Sequence, residues 1–406
     1  MASRRRQLLA AVGTAVSGAL AGCPDTSGGD SASASGQTDG GTATREPESE
    51  SESESESPVT VTGTFPQHQY DAANTGATPA NGPTGAVSPL FEVGSDRRGR
   101  GSPTVGDGTL FLTERADGDR TTVSAVDAAD GTVQWERTYG SARLAGPTAL
   151  TDERVLARVG PSVVALDRAT GDHDWAFGGT LAAGLAVADG TVYAVGEGRG
   201  TTTLHAVSVA DGTRRWHADF DAAAGPTTPG VRDGTVYVGG DALRALDTED
   251  GTERWRTEDV ATTAPAVSDD RVVVGSGSAV RVYGQENGTL LWSDDVGDLA
   301  AEAVGHSPAV ADGTVYLAHQ GFLVGYDIGS GDRRYAVEVG IDSPPVVAGG
   351  GCYLFGPGRV VRCSVTDGTP QWSYGTRQRT ESGERAPAVV DGVAYVPAER
   401  LYAIAD

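Results

Sequence analysis

The stretch from Thr228 to Trp255 reads TPGVRDGTVYVGGDALRALDTEDGTERW. It contains short runs of apolar and β-branched residues that are separated by turns at Asp233–Gly234 and Asp250–Gly251. Aspartate and glycine accept the positive φ angles that tight hairpin turns require. The stretch therefore predicts four short antiparallel strands, and such a unit is typical of one blade of a β-propeller.

The same unit recurs along the chain. Each copy has a glycine followed four residues later by an aromatic residue, which is tyrosine in one copy, Tyr335. In the other copies the aromatic residue is one of the six tryptophans of the protein, namely Trp135, Trp175, Trp216, Trp255, Trp292 and Trp372. Successive copies lie about 40 residues apart, which is a period expected for propellers. We expect each aromatic side chain to dock against the neighbouring blade.

A short signature, consisting of a small residue, Pro or Gly, a small residue and then Val or Leu, marks the start of each blade. It occurs at Pro103, Pro147, Gly184, Pro229, Pro265, Pro308, Pro344 and Pro387. The eighth copy ends after three strands, whereas Pro89–Val93 is an orphan strand with Phe91 in the tryptophan position. The sequence thus predicts an all-β, eight-bladed propeller of four-stranded antiparallel blades over residues 59–406. Pairing of residues 87–93 with residues 399–405 is expected to close the ring, because closure removes exposed sheet edges.

Residues 1–22 have the features of an export signal. Arg4 and Arg5 lie in a segment that resembles a twin-arginine (Tat) signal, an apolar run follows, and Leu20–Cys23 resembles a lipobox. Lipidation of Cys23 is therefore predicted to anchor the mature protein to a membrane. An uncleaved signal anchor and a soluble secreted form are the alternatives. Residues 23–58 are rich in Ser, Gly and Glu, and they predict a disordered acidic linker because they offer little apolar area to bury.

The repeat resembles that of a known family. Ala125, Asp127, Gly131 and Trp135 match the tryptophan-docking motif of pyrroloquinoline quinone (PQQ) repeat propellers, and the segment from Phe65 to Gly76 is similar to the lead-in of that family. The family includes quinone dehydrogenases, which hold PQQ under two adjacent cysteines with calcium, and cofactor-free propellers such as the BamB lipoprotein. The chain has no adjacent cysteines. The resemblance to BamB-like lipoproteins implies a propeller without a cofactor, and PQQ with calcium is the alternative.

The protein is strongly acidic. It has 31 basic residues, all of them arginine, against 55 acidic residues, which gives a net charge of −24. An acidic, lysine-free composition resembles that of halophilic archaeal proteins, in which salt screens the repulsion between like charges. The charge also argues against nucleic acid as a partner, because no basic patch is present to neutralise phosphates.

Few residues follow a catalytic or metal-binding pattern. The six histidines contain no His-x-x-x-His pair, His205 and His217 lie twelve positions apart in one blade, and the Asp–Gly pairs fall at predicted turns. We predict no catalytic residues and no metal site. Cys352 and Cys363 flank a hairpin predicted around Pro357–Gly358, which places them opposite each other. A disulfide and two small buried thiols both remain open for this pair.

These observations favour a non-catalytic scaffold over an enzyme. We expect an exported propeller, lipid-anchored on the outer face of the cytoplasmic membrane, that binds a protein partner through one face or the central channel. A PQQ-dependent dehydrogenase of alcohols or sugars is one alternative, and a propeller that binds a small ligand or polysaccharide is another. The absence of adjacent cysteines disfavours the dehydrogenase, whereas no sequence feature separates the scaffold from the ligand-binding propeller.

Overall fold

The computed structural model describes residues 59–94, 100–116, 120–140, 145–221, 225, 227–299, 302–356, 358–377 and 385–406. Within these residues the chain forms eight β-sheets and one short 3₁₀ helix, Val296–Asp298. Each sheet is one blade. Blades are numbered 1 to 8 in chain order, and the strands of each blade are lettered A to D from the centre outwards. The eight-bladed, all-β prediction is confirmed.

Blades 1 to 4 are each formed by four consecutive strands. Strands A to D are Thr104–Gly106, Thr109–Ala116, Arg120–Asp127 and Val133–Tyr139 in blade 1, and Ala145–Leu150, Arg154–Val159, Ser162–Asp167 and His173–Gly178 in blade 2. In blade 3 they are Leu181–Ala188, Thr191–Glu197, Thr201–Ser208 and Arg214–Asp221, and in blade 4 Gly230–Arg232, Thr235–Val238, Arg244–Asp247 and Glu253–Arg256.

Blades 5 to 7 follow the same order. Their strands are Ala266–Val267, Arg271–Ser276, Ala279–Gly284 and Leu290–Asp295 in blade 5, and Ala309–Ala311, Thr314–His319, Phe322–Asp327 and Arg333–Glu338 in blade 6. Blade 7 has Val346–Ala348, Gly351–Gly356, Arg359–Ser364 and Pro370–Gly375, and the short strand Ala77–Thr78 pairs in parallel with its strand A. Blade 8 takes strands A to C from Ala388–Val390, Val393–Pro397 and Leu401–Ala405.

The N-terminal strand closes the ring, as the sequence predicts. Ser88–Val93 pairs with Leu401–Ala405 as strand D of blade 8, and Phe91 lies opposite Ala403. The carboxylate of Asp406 strengthens this closure because it accepts hydrogen bonds from the backbone amides of Thr84 and Gly85, at 2.8 and 2.7 Å. Strand A of each blade contacts strand A of the next blade, and those of blades 8 and 1 complete the circle.

A repeated aromatic contact joins successive blades. In blades 1 to 6 the aromatic residue of strand D packs on the turn glycine of the next blade and donates its polar hydrogen to a backbone carbonyl there. Trp372 of blade 7 donates to the segment that leads into strand D of blade 8. The bonds run from Trp135 to Arg168, Trp175 to Val209, Trp216 to Thr248, Trp255 to Gln285, Trp292 to Ile328, Tyr335 to Val365 and Trp372 to Pro83, at 2.8–3.3 Å. The glycine is required because a Cβ at Gly212 would lie 2.7 Å from the Trp175 ring, and because its φ is +73°.

The contact between blades 8 and 1 is built differently. Phe91 takes the tryptophan position, and a Cβ on Gly131 would lie 2.7 Å from its ring. Phenylalanine has no polar hydrogen to donate. The hydroxyl of Tyr395 instead donates to the carbonyl of Ala128 at 2.6 Å, so the docking carbonyl remains paired.

The two cysteines lie in blade 7. Cys352 on strand B is directly opposite Cys363 on strand C, which is the predicted register. Both thiols are free in the structure and fully buried. Burial raises the pKa of both, that of Cys363 to about 12, so each behaves as a small apolar side chain.

The ring has two faces that differ in their turns. The A–B and C–D turns lie on one side, here named the AB-turn face. The B–C turns and the connections from strand D to the next blade lie on the other side, named the BC-turn face. Tight A–B turns begin at Asp107, Asp189, Asp233, Asp312 and Asp391, all with φ near +50° and each followed by glycine. In the described residues, no helix is long and apolar enough to cross a membrane.

Candidate functional site in the central channel

The lead-in segment, residues 59–82, enters the ring from the AB-turn face. The backbone amides of Thr62 and Gly63 donate to the carboxylate of Asp391 in the A–B turn of blade 8, at 2.8 and 2.7 Å. These bonds lower the pKa of Asp391 and keep it ionised. Farther along, Gly392 of the same turn donates its amide to the carbonyl of Asn81 at 2.8 Å. The segment therefore both enters and leaves beside blade 8.

Between these two points the segment passes the inner strands of the other seven blades in order. One strand A amide of each blade donates to it, and the pairs are Val105 with Phe65, Leu150 with Pro66, Val187 with the side chain of Gln67, Val231 with Ala72, Val267 with Ala73, Val310 with Thr75 and Val347 with Gly76. Inner strands of a propeller otherwise present unpaired edge amides to the channel. Residues 65–76 thus fill the AB-turn end of the central channel and pair its edges.

Side chains of the segment reinforce this path. Asn74 is 2 % exposed and its amide donates to the carbonyls of Pro229 at 2.8 Å and Pro265 at 3.2 Å, which links blades 4 and 5. Its φ of +54° is one that asparagine tolerates better than most residues. Asp71 accepts from the amide and the hydroxyl of Thr75, at 2.9 and 2.7 Å, and burial raises the pKa of this carboxyl.

Polar side chains of the segment meet the starts of the inner strands, toward the BC-turn face. His68 Nδ1 lies 3.5 Å from the hydroxyl of Ser102, which also accepts from the amide of Ala386 at 3.0 Å. Gln69 is fully buried, and its side-chain amide donates to the carbonyl of Ser307 at 3.4 Å. Blades 8, 1 and 6 are thereby tied to the middle of the segment.

A His–Asp pair stands beside this point, on the connections that lead into blades 6 and 7. His306 Nε2 lies 3.6 Å from Asp342 Oδ1, and the two side chains are 10 % and 31 % exposed. Within the described part of the chain, His306 Nδ1, Asp342 Oδ1 and Gln69 Oε1 are buried without a hydrogen-bond partner. Buried polar atoms are normally satisfied by protein, water or ligand. These three atoms are accordingly the polar groups at this end of the channel that the described residues leave unsatisfied.

Other histidines lie away from the channel pair. His205 and His217, twelve positions apart in sequence, are directly opposite each other on strands C and D of blade 3. Burial, and next the nearby Arg214 and His217, lower the pKa of His205 and favour its neutral form. His319 is buried at the end of strand B of blade 6.

The residues present do not fit PQQ with calcium, the cofactor pair of the alternative hypothesis. Calcium takes six to eight oxygen ligands, largely from carboxylates and carbonyls. Over the described ranges, no three His, Cys, Asp or Glu side chains are placed to hold a metal ion. Cys352 and Cys363 lie inside a blade at 0 % exposure and are not adjacent in sequence. No step through the quinone is therefore derived. Arg4, Arg5 and Cys23 lie outside the described residues.

A comparison with models of protein families shows to which family the chain belongs. A family model described as outer membrane protein assembly factor BamB matches residues 83–203, 119–225, 160–277, 200–340 and 280–405, which overlap to span the repeats. The chain belongs to this PQQ-like propeller family. A search of curated protein sequences finds no match.

Several solved structures share the propeller fold with this chain at low sequence identity. The quinohemoprotein alcohol dehydrogenase from Comamonas testosteroni is 15 % identical, with a TM-score of 0.67 over 84 % of this chain and 80 % of that one. BamB from Moraxella catarrhalis is 16 % identical, with a TM-score of 0.51 over 76 % and 97 %. The C-terminal WD40 domain of Sif2 is 10 % identical, with a TM-score of 0.63 over 80 % and 99 %. At these identities the likeness concerns the fold alone.

Sequence reasoning missed the residues of the channel. The lead-in from Phe65 to Gly76 was recognisable by family resemblance, but no periodicity in it indicates a path past seven blades. His306 and Asp342 each stand two residues before the Pro of a blade signature, at Pro308 and Pro344. That shared offset is the signal that could have placed both side chains at one end of the inner strands.

Proposed function

We propose that this PQQ-like propeller is a non-catalytic scaffold that binds a protein partner on its BC-turn face. The observation that carries the proposal is the path of residues 65–76, which fill the channel from the AB-turn face. The pair of His306 and Asp342, whose side chains are 10 % and 31 % exposed, lies toward the opposite end. A partner that places a polar side chain or loop at that end would contact this pair.

The family match supports the scaffold proposal independently of the channel. The description of the matching model, an outer membrane protein assembly factor, is that of a protein that acts on other proteins. The alternative of a PQQ dehydrogenase has only distant likeness of fold behind it, and function resides in the site rather than in the fold. The scaffold is therefore the function that the described residues support best.

We further propose that the protein is exported by the Tat route and anchored through a lipid on Cys23 to the outer face of the cytoplasmic membrane. The support is the order of the twin arginines Arg4 and Arg5, the apolar run and the lipobox-like Leu20–Cys23. The net charge of −24 and the absence of lysine fit a halophilic archaeal environment with molar salt. Residues 62 and 63 lie beside Asp391, at the AB-turn face of the propeller.

The anchor is tested by Cys23→Ser. Without a thiol to acylate, the protein is expected to move from the membrane fraction to the soluble fraction and to keep its signal peptide uncleaved at the lipobox. Cell fractionation in molar salt, with mass analysis of the N-terminus, measures both effects. Ser17→Ala in the same signal is the matched control and should remain anchored. A Cys23→Ser protein that stays on the membrane after a high-salt wash would show that another segment is the anchor.

Titration with PQQ and Ca²⁺ in molar salt distinguishes the scaffold hypothesis from the dehydrogenase hypothesis. We expect neither stoichiometric binding nor reduction of an electron-accepting dye in the presence of alcohols or sugars, because the described residues supply no calcium ligand set. Absorbance spectroscopy reports both quantities. Saturable binding of the quinone, together with substrate-dependent reduction of the dye, would contradict the scaffold proposal and support a PQQ-dependent dehydrogenase.

A further inference from the structure

A pair of histidines lies in the outer groove between blades 2 and 3, away from the central channel. His205 on strand C and His217 on strand D are directly opposite in the antiparallel ladder. Directly opposite residues have Cβ atoms about 4.5–5.5 Å apart, and their side chains lie on one face of the sheet. That face points to blade 2, because the ring of His205 lies 5.2 Å from the ring of Phe177, which belongs to blade 2.

The imidazole of His205 is held with one nitrogen ready to act as a ligand. Its Nε2 is hydrogen-bonded to the backbone of Gly179, on the connection between blades 2 and 3. A neutral imidazole that donates from Nε2 carries its lone pair on Nδ1. His205 is 7 % exposed, and Nδ1 is buried without a hydrogen-bond partner in the described residues. A carbonyl acceptor on the second nitrogen is also the usual arrangement of metal-binding histidines.

His217, which faces His205, can provide a second imidazole beside it. The side chain of His217 is 45 % exposed, so its ring can turn toward His205 without repacking the core. Asp219, two residues farther on the same face, has its carboxylate 3.9 Å from His217 Nε2. The hydroxyl of Thr203 donates to Asp219 Oδ1 at 2.7 Å and fixes that carboxylate. The groove thus offers two imidazoles with a negative charge beside them.

We infer that this groove binds a late first-row divalent metal ion, with His205 Nδ1 and the imidazole of His217 as its protein ligands. Metal–nitrogen bonds of about 2.0–2.1 Å allow two opposed imidazoles to share one ion. Water fills the other positions, and Asp219 offsets the charge of the ion. Imidazole ligands select Cu²⁺, Ni²⁺ and Zn²⁺ over Ca²⁺ and Mg²⁺, and Cu²⁺ should bind most tightly.

The site is tested on the chelator-treated, tag-free full chain by titration with Cu²⁺, Ni²⁺, Zn²⁺ and Ca²⁺ in molar NaCl. One Cu²⁺ per chain is expected, with weaker binding of Ni²⁺ and Zn²⁺ and none of Ca²⁺. His217→Ala, at an exposed position, should weaken Cu²⁺ binding by about tenfold or more while the protein stays folded. His173→Ala, which removes an exposed histidine of blade 2, should bind like the wild type.

Electron paramagnetic resonance of the Cu²⁺ complex adds a measurement of the metal ligands that does not depend on the stability of the fold. The spectrum should show coupling to two imidazole nitrogens in the wild type and to one in His217→Ala. Equal affinity of wild type and His217→Ala, binding lost equally in His173→Ala, or no stoichiometric binding of any transition metal would overturn the inference. These outcomes are independent of whether the BC-turn face binds a protein partner.

Discussion

Replacement of Trp175 by alanine is expected to lower the free energy of unfolding by about 3–5 kcal/mol, the usual cost of truncating a buried large aromatic side chain. Trp175 is 9 % exposed, packs on Gly212 of blade 3 and donates its indole hydrogen to the carbonyl of Val209 at 3.0 Å. Truncation removes the ring from the interface between blades 2 and 3 and leaves that carbonyl unpaired. Chemical unfolding in molar salt, followed by tryptophan fluorescence, measures the loss.

A double-mutant cycle with Gly212→Ala provides the control. In the wild-type background a Cβ at Gly212 would press on the indole, whereas in Trp175→Ala that contact no longer exists and only the strain of a positive φ remains. The two substitutions together should therefore cost less than the sum of their separate costs. Additive costs, or a loss below about 0.5 kcal/mol for Trp175→Ala alone, would mean that the indole of Trp175 does not couple blades 2 and 3.

Removal of the Asn74 side chain is expected to cause the second largest loss. Asn74→Ala should cost about 2–4 kcal/mol, because two buried carbonyls, of Pro229 and Pro265, lose their donor and because alanine at a φ of +54° is strained. Asn74→Gly relieves the strain and keeps the loss of the hydrogen bonds, so it should cost about 1 kcal/mol less. The free energy of unfolding of both variants gives the comparison.

An exposed asparagine serves as the matched control. Asn287 caps a C–D turn of blade 5 by accepting from the amide of Thr289 at 3.0 Å, and its removal should cost about 1 kcal/mol or less. Asn74→Ala and Asn287→Ala variants of equal stability would contradict the view that the lead-in segment ties the inner strands together.

The fold was predictable because its information is repeated in the sequence. The docking glycine and aromatic residue recur in seven copies, and Phe91, which holds the tryptophan position ahead of the first copy, indicates which strand closes the ring. The register of Cys352 opposite Cys363 was also predictable, since it follows from the hairpin turn expected at Pro357–Gly358. An alignment of the repeats could have placed His205 opposite His217, because each adjoins the docking pair of its blade, Ala206 and Trp216.

The candidate site was not predictable in the same way. Residues 65–76 have no repeat of their own, and their bonds go to blades that are far apart in sequence. Asn74, for example, reaches Pro229 and Pro265, and Gln69 reaches Ser307. Such contacts exist only once the ring has closed around the segment, so no local pattern in the sequence encodes them.

Photo-crosslinking from both faces of the ring tests the proposed scaffold most directly. A crosslinking amino acid is placed at Arg199 and Ala303, on the BC-turn face, and at Asp211 and Ser330, on the AB-turn face. All four positions are exposed, and the two faces are sampled in or next to the same blades, 3 and 6. The variants are expressed in the native host and irradiated on intact membranes in molar salt. We expect one specific protein adduct from Arg199 or Ala303 and none from Asp211 or Ser330. An adduct that forms only from Asp211 or Ser330, or equally from both faces, would contradict the proposed scaffold.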